Sequence, residues 1–296
     1  MAREQRRLAG NVSGPFYVEA GCIDCGTCWT FDPAHFRNGA QQAEVWQQPA
    51  EGAEQERALL ALQACPVAAI GAPRELIART RADGFPALIT RTGQGDVSYC
   101  GWASRLSFGA SSYLIVRPGG ATGASNVLID SPRFNRAIAR RLEALGGVGS
   151  LLLSHRDDVA DHQAFADHFG CERWIHSADA DAAPEAEHRF TGREPLRFDA
   201  DLRVLPCPGH TEGSVAFLFD NQVLFSGDHL WWSQSTGALV ASRQLCWWNW
   251  PEQVRSLERL LELDVRWLLP GHGGRRAFAP GEWGRELSRL LDSLDS

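Results

Sequence analysis

The sequence predicts an α+β protein in two parts. A small cysteine-bearing domain spans residues 1–78, and a larger domain of two packed sheets with helices outside spans residues 79–296. Three observations predict it. Strand-like apolar runs come in two groups, with helical patterns between and after them. Gly71, Pro73, Gly84 and Pro86 punctuate the chain near residues 73–84 and set the boundary. Metal-capable side chains recur at the ends of the apolar runs.

In the first part, Phe16-Tyr17-Val18 reads as a strand, and Ala58, Leu59, Ala61 and Leu62 lie on one helical face running toward Cys65. In the second part, strand-like runs are expected at Ala87–Thr90, Ser98–Trp102, Ser112–Val116 and Asn126–Asp130, with a turn at Pro118-Gly119-Gly120. Ile138, Leu142 and Leu145 mark a helix that stops at Gly146-Gly147. The run Leu151–Leu153 follows, then a helix over Asp161–Phe169. Strands are expected at Arg173–His176, Leu202–Pro206, Ser214–Phe219, Gln222–Ser226 and Arg266–Leu269, with helices at Pro251–Leu263 and Glu282–Leu291.

The formal net charge of −7 argues against a nucleic-acid partner, which a basic face would favour. No run of roughly 18 apolar residues marks a membrane span. Arg3, Arg6 and Arg7 are followed by no apolar export segment, so a cytoplasmic location is expected. The eight cysteines in a chain of 296 residues do not suit a disulfide-stapled scaffold.

Cys22, Cys25 and Cys28 sit on one tight loop, and Cys65-Pro66 lies far downstream. Three thiolates on a loop plus a remote fourth suit an iron–sulfur cluster. A structural zinc site could use the same four. The pattern resembles single-cluster bacterial ferredoxins over about residues 14–75. That resemblance implies one [4Fe–4S] cluster on Cys22, Cys25, Cys28 and Cys65, or a [3Fe–4S] form with Cys25 free, and a redox partner protein. Cys100, Cys171, Cys207 and Cys246 read as ordinary buried or half-buried thiols.

The stretch Ser154-His155-Arg156-Asp157-Asp158-Val159-Ala160-Asp161-His162 follows the apolar run directly. Three later motifs repeat the design: Pro208-Gly209-His210, Ser226-Gly227-Asp228-His229 and Leu269-Pro270-Gly271-His272-Gly273. Glycine lets the backbone turn so that the next side chain faces inward. In their order and spacing these motifs resemble the metallo-β-lactamase-fold superfamily from about residue 85 onward. The resemblance implies an αββα sandwich with one or two metal ions at the strand ends. By it, His155, His210 and His272 are ligands, Asp228 bridges two metals, and Asp161 with His162 serves the second metal, Asp161 also orienting the attacking hydroxide. The family pattern is His-x-His-x-Asp-His. This run is two residues longer and lacks the second His, so Asp157 or Asp158 fills that position. A carboxylate there is similar to flavodiiron proteins and favours harder metals, which leaves zinc, iron and manganese open.

A divalent ion lowers the pKa of bound water and polarises a carbonyl or phosphoryl oxygen. The expected activity is hydrolysis, a metal-bound hydroxide attacking an ester, thioester or lactone bond of a small molecule. The alternatives are an iron-dependent oxidoreductase fed by the cluster, and a redox-sensing interaction module with a vestigial metal site. Five tryptophans lie between Trp231 and Trp250. Trp231, Trp247 and Arg243 are expected to line a pocket for an anionic acyl or aromatic substrate, extended by Arg275 and Arg276, and the tryptophans equally suit the interface with the cysteine domain. No glutathione-binding pattern stands out. His229 is expected beside the metal ligands, and His35, His168, His176 and His188 at the surface.

Overall fold

The computed structural model describes residues 2–78, 84–118 and 125–294. Residues 79–83, where the sequence divides the domains, and Gly119-Gly120 of the expected turn lie outside the described residues.

Two sheets stack face to face. The first has seven strands among the described residues, in the order His188–Phe190, Glu172–His176, Ser150–Leu152, Val127–Ile129, Tyr113–Val116, Asp96–Tyr99 and Ala87–Arg91. Its first four strands pair in parallel and the rest antiparallel. The second runs Leu196–Arg197, Leu202–Pro206, Val215–Phe219, Val223–Gly227, Trp267–Pro270 and Arg276–Ala277. Only Val223–Gly227 with Trp267–Pro270 is parallel there. A parallel pair needs a crossover, and the helix Trp250–Arg259 supplies it. That helix starts on Asn249, whose side chain accepts the Glu252 amide, with Pro251 in its first turn.

Side chains alternate across each strand, and this builds the layers. Val215, Phe217 and Phe219 face the core between the sheets, while Ala216 and Leu218 face outward onto helices. Tyr113 and Ile115 face the same inner core, and Leu114 the other side. The helices Arg136–Ala144 and His162–Phe169 bury Ile138, Leu142 and Phe165 against the outer face of the first sheet. Leu257, Trp283, Leu287 and Leu290, from Trp250–Arg259 and Glu282–Leu294, do the same on the second. The result is the αββα sandwich. No helix among the described residues is long and apolar enough to cross a membrane.

The N-terminal part closes on itself. Tyr17–Val18 pairs antiparallel with Ile70–Gly71, and Phe36–Asn38 forms a hairpin with Ala43–Val45. The helices Thr27–Phe31 and Ala53–Ala64 complete it. Its core joins the sandwich core through three rings: Phe31, Phe85 and Tyr99 have centroids 5.6–5.7 Å apart. Phe85 is fully buried in this seam. Phe85→Ala is therefore expected to cost about 3–5 kcal/mol. A chemical-denaturation midpoint unchanged in that variant would show that the seam adds nothing to stability.

The strand expected at Ser98–Trp102 lies instead at Asp96–Tyr99, because Gly101 and Trp102 adopt left-handed backbone and end it. The hairpin Trp231–Ser233 with Ala238–Val240, and two-residue strands such as Leu196–Arg197, are too short to show a period in sequence.

Candidate metal centres

Cys22, Cys25, Cys28 and Cys65 line one small cavity with Val18 and Ile70. Left-handed backbone at Asp24 and Gly26 coils the loop tightly enough to turn three thiols inward. The amides of Asp24 and Ala69 donate to the Cys22 and Cys65 sulfurs, each at 3.3 Å. All eight cysteines are free of disulfides. Burial, then the neighbouring cysteines, pushes the Cys28 thiol well above its ordinary value. Burial likewise pushes Cys25 up to about 11. Four crowded cysteine sulfurs, three of them on one loop, fit an iron–sulfur cluster, whose cationic irons favour the thiolate form.

The second centre is the floor of a cleft of about 800 Å³. His155 follows the strand Ser150–Leu152. The Asp130 carboxylate accepts the Ser154 amide at 2.7 Å and fixes where the chain turns. His155 Nδ1 pairs with Ser154 Oγ at 2.9 Å, which leaves Nε2 facing the cleft. His210 is held the same way, its Nδ1 against the Leu245 carbonyl at 2.6 Å. His155 Nε2 lies 3.9 Å from Asp157 and 3.8 Å from Asp228. His210 Nε2 lies 3.4 Å from Asp157 and 4.0 Å from Asp228. Donor atoms of His155, Asp157 and His210 fall within 4.8 Å of one another, as do those of His155, Asp158 and Asp228. His272 Nδ1 sits 2.9 Å from both Asp228 oxygens.

The donor set suits a cation. His155 Nε2, His210 Nε2 and both Asp158 oxygens are buried without hydrogen-bond geometry to any partner. Unpaired buried polar atoms are costly. Burial lowers His155 to about 4, offset only in part by Asp228, so its imidazole is neutral with a free lone pair. Burial, then Asp228, pushes the Asp158 carboxyl well above the usual range. Two donor triads that share His155, one with Asp157 and His210 and the other with Asp158 and Asp228, fit one or two divalent ions.

Both Asp157 and Asp158 reach the floor, so neither excludes the other. Asp161 and His162 do not reach it. Val159 and Ala160 lengthen the loop, Ala160 takes left-handed backbone, and the pair is carried onto the helix His162–Phe169. Asp161 accepts the Phe134 amide at 2.7 Å, and His162 Nδ1 faces Arg173 at 3.1 Å. The catalytic role expected of Asp161 therefore has no geometric basis.

Trp231 and Trp247 line the cleft, but Arg243 does not; it is exposed on the short turn Arg243–Leu245. The arginine that lines the cleft among the described residues is Arg156, whose guanidinium pairs with Asp181 at 2.7 Å. Arg275 stacks on Tyr99 at 4.2 Å, and Arg276 on Trp232 at 4.5 Å, so both point away. His229 is buried with both ring nitrogens unpartnered, and its backbone carbonyl accepts from Gln253. His35 and His176 are buried and hydrogen-bonded, not at the surface.

Two contributors escaped the sequence reading. Asp179 ties the loops together by accepting from the Arg156 amide, the Thr211 hydroxyl and the Gly213 amide. Leu106 and Phe108 form the other wall of the cleft, 74% and 54% exposed. Two large apolar side chains in a Ser/Gly-rich loop were the available signal.

Residues 18–72 match the family described as the 4Fe-4S single cluster domain of Ferredoxin I. A hydroxyacylglutathione hydrolase of Methylococcus capsulatus is 32% identical over 159 residues, 52% of this chain and 57% of the relative. That of Shewanella loihica is 31% identical, over 42% of this chain and 47% of the relative. The chain thus spans about half the length of the curated relatives it matches. An archaeal metallo-β-lactamase superfamily structure from Sulfolobus tokodaii is 15% identical with a TM-score of 0.48, covering 69% of this chain and 88% of that one. The chain is thus an αββα sandwich with candidate metal donors at its strand ends, similar over about half their length to hydroxyacylglutathione hydrolases, and its residues 18–72 match a single-cluster ferredoxin domain.

Proposed function

We propose that the cleft is the active site of a metal-dependent hydrolase acting on an ester or thioester with a bulky apolar acyl or aromatic group. One observation carries the reading: the unpartnered Nε2 atoms of His155 and His210 converge with Asp157, Asp158 and Asp228 on the cleft floor. The ions would be held by these five residues, with His272 against Asp228. When bound, they supply an activated water and polarise the scissile carbonyl. The chain does the rest. Ser154 and the Leu245 carbonyl orient the two imidazoles. Leu106 and Phe108 on one side, Trp231, Leu245 and Trp247 on the other, hold the apolar group and displace water from it.

The test pairs metal analysis of anaerobically purified protein with hydrolysis of thioesters of increasing acyl size. Zinc in the cleft and kcat/KM rising with acyl size are the expected results; no hydrolysis of any thioester or ester by metal-replete protein overturns the proposal. Trp247→Ala is expected to raise KM about tenfold, the 1–2 kcal/mol of a half-exposed aromatic wall. Arg156→Ala should lower kcat/KM for anionic substrates about fivefold, on the scale of 1 kcal/mol for an exposed ion pair. Arg243→Ala should leave it unchanged. Equal losses in the two arginine variants would contradict this placement.

A second reading is favoured by Asp157 and Asp158, since carboxylates favour harder metals than imidazole does. Iron in the cleft, with electrons supplied through the N-terminal cluster, would make the protein an oxidoreductase. The same metal analysis separates the two.

A further inference from the structure

The loop over residues 104–110 touches both centres. At one end Thr27, buried in the N-terminal part, donates its hydroxyl to the Gly109 carbonyl at 2.9 Å. Thr27 Oγ1 also lies 3.2 Å from Cys25 Sγ. Gly109 has φ +88°, and a Cβ there would meet Cys25 Sγ at 2.7 Å, so the loop sits hard against the cysteine. One residue earlier, the Phe108 carbonyl lies 3.4 Å from His272 Nε2, with the two rings 6.2 Å apart. His272 in turn holds Asp228. The Ser111 amide donates to the Gly271 carbonyl at 2.7 Å and fastens the same end of the loop beside His272. A continuous run of contacts therefore joins a cluster ligand to the cleft floor: Cys25, Thr27, Gly109–Phe108, His272, Asp228.

Thr27 carries one hydroxyl proton and faces two acceptors. A cluster-ligating Cys25 has no proton of its own and can only accept. We propose that Thr27 is a positioning residue that couples the charge of the cluster to the cleft. With the cluster oxidised, the hydroxyl bonds the Gly109 carbonyl and holds Phe108 against His272. A low-potential one-electron carrier protein delivers one electron to the cluster, from the 2+ to the 1+ state. No covalent bond forms or breaks, and the hydroxyl proton stays on its oxygen. The added negative charge on the sulfurs draws the hydrogen bond from Gly109 to Cys25. The loop keeps its Ser111 tie but loses its hold on Thr27, and Phe108 then shifts away from His272, which loosens the Leu106–Phe108 wall. The cleft binds its metal and its substrate best when the cluster is oxidised. This rests on the metal-cleft reading above.

Coupling of this kind is reciprocal. Whatever favours the oxidised cluster on metal binding must lower the cluster's midpoint potential by the same free energy. A bound cation acting only through space has the opposite sign, since it stabilises the reduced, more negative cluster. The sign therefore separates the two mechanisms.

The test uses the full chain with its cluster assembled and zinc, which is redox-inert, in the cleft. Spectroelectrochemical titration with and without zinc is expected to show a midpoint potential lower by about 59 mV with zinc, equivalent to about tenfold tighter zinc binding to the oxidised protein. In Thr27→Val the shift should vanish or turn positive, and Thr27→Ser should restore it. Amide exchange in the unaltered protein gives a second readout: reduction should speed exchange at Gly109, whose amide donates to the Ser104 carbonyl. A shift that is zero or positive in the unaltered protein, or identical in Thr27→Val, overturns the coupling, as does amide exchange insensitive to reduction. If zinc uptake does not depend on His210, the metal-cleft reading itself falls, and the coupling with it.

Discussion

Asp228→Ala is expected to abolish cleft metal binding and to lower hydrolytic turnover by about a thousandfold. Its carboxylate lies 3.8 Å from His155, 4.0 Å from His210 and 2.9 Å from His272, so it touches every imidazole of the floor. Burial opposes its ionisation, but His272 and then the other two imidazoles hold its pKa below the usual carboxylate range. It is thus a fixed negative charge among cation donors. A bound ion contributes several kcal/mol to such chemistry, and 1.36 kcal/mol is tenfold in rate, hence about three decades. Metal content per chain and kcat/KM on the best thioester would be measured together. Retention of a tenth of the activity in metal-free Asp228→Ala would remove the cleft metal from the mechanism. Asp161→Ala is the contrast. It loses one hydrogen bond to the Phe134 amide, and a cost of about 1 kcal/mol in stability is expected with metal content intact.

Cys65→Ala should lose the iron–sulfur cluster and loosen the N-terminal part. Cys65 ends the helix Ala53–Ala64, and its sulfur accepts the Ala69 amide. It also brings the far end of this part back to the cysteine loop. The segment is near the size at which an apolar core alone is marginal. A structural metal centre can supply most of the folding free energy of such a unit, so the loss is on the order of several kcal/mol. Iron content, visible absorption and limited proteolysis would report it. Unchanged proteolytic resistance between residues 17 and 71 in cluster-free protein would show that the aromatic seam with Phe85 and Tyr99 suffices.

The architecture was legible where a residue's neighbours in sequence are also its neighbours in space. The apolar runs Ser214–Phe219 and Gln222–Ser226 form the strands Val215–Phe219 and Val223–Gly227, and the helix expected from Pro251 starts at Trp250. The four cysteines were legible for the same reason, since three lie on one loop. The cleft was legible only in part. His155, His210, Asp228 and His272 each follow a strand and can hardly point elsewhere. Asp161 and His162 misled because one left-handed residue, Ala160, moved them onto the next helix, and backbone of that kind at alanine has no sequence signature. Arg243 misled because proximity to tryptophans in sequence says nothing about which way a turn faces. Phe108 was missed because its role comes from contacts with residues 27 and 272, far from it along the chain.

The spread of the ligand-bearing strand ends sets an order of assembly. All four cysteines are made once the chain reaches Cys65, whereas the cleft floor lacks His272 until 207 further residues have been added. Contacts between distant residues pay a large loop-closure entropy and form late in folding. The chain emerges from its N-terminus first during synthesis. The two donor sets are therefore completed at different times: the four cysteines come together in a short nascent chain, while the cleft floor is complete only after both sheets have closed.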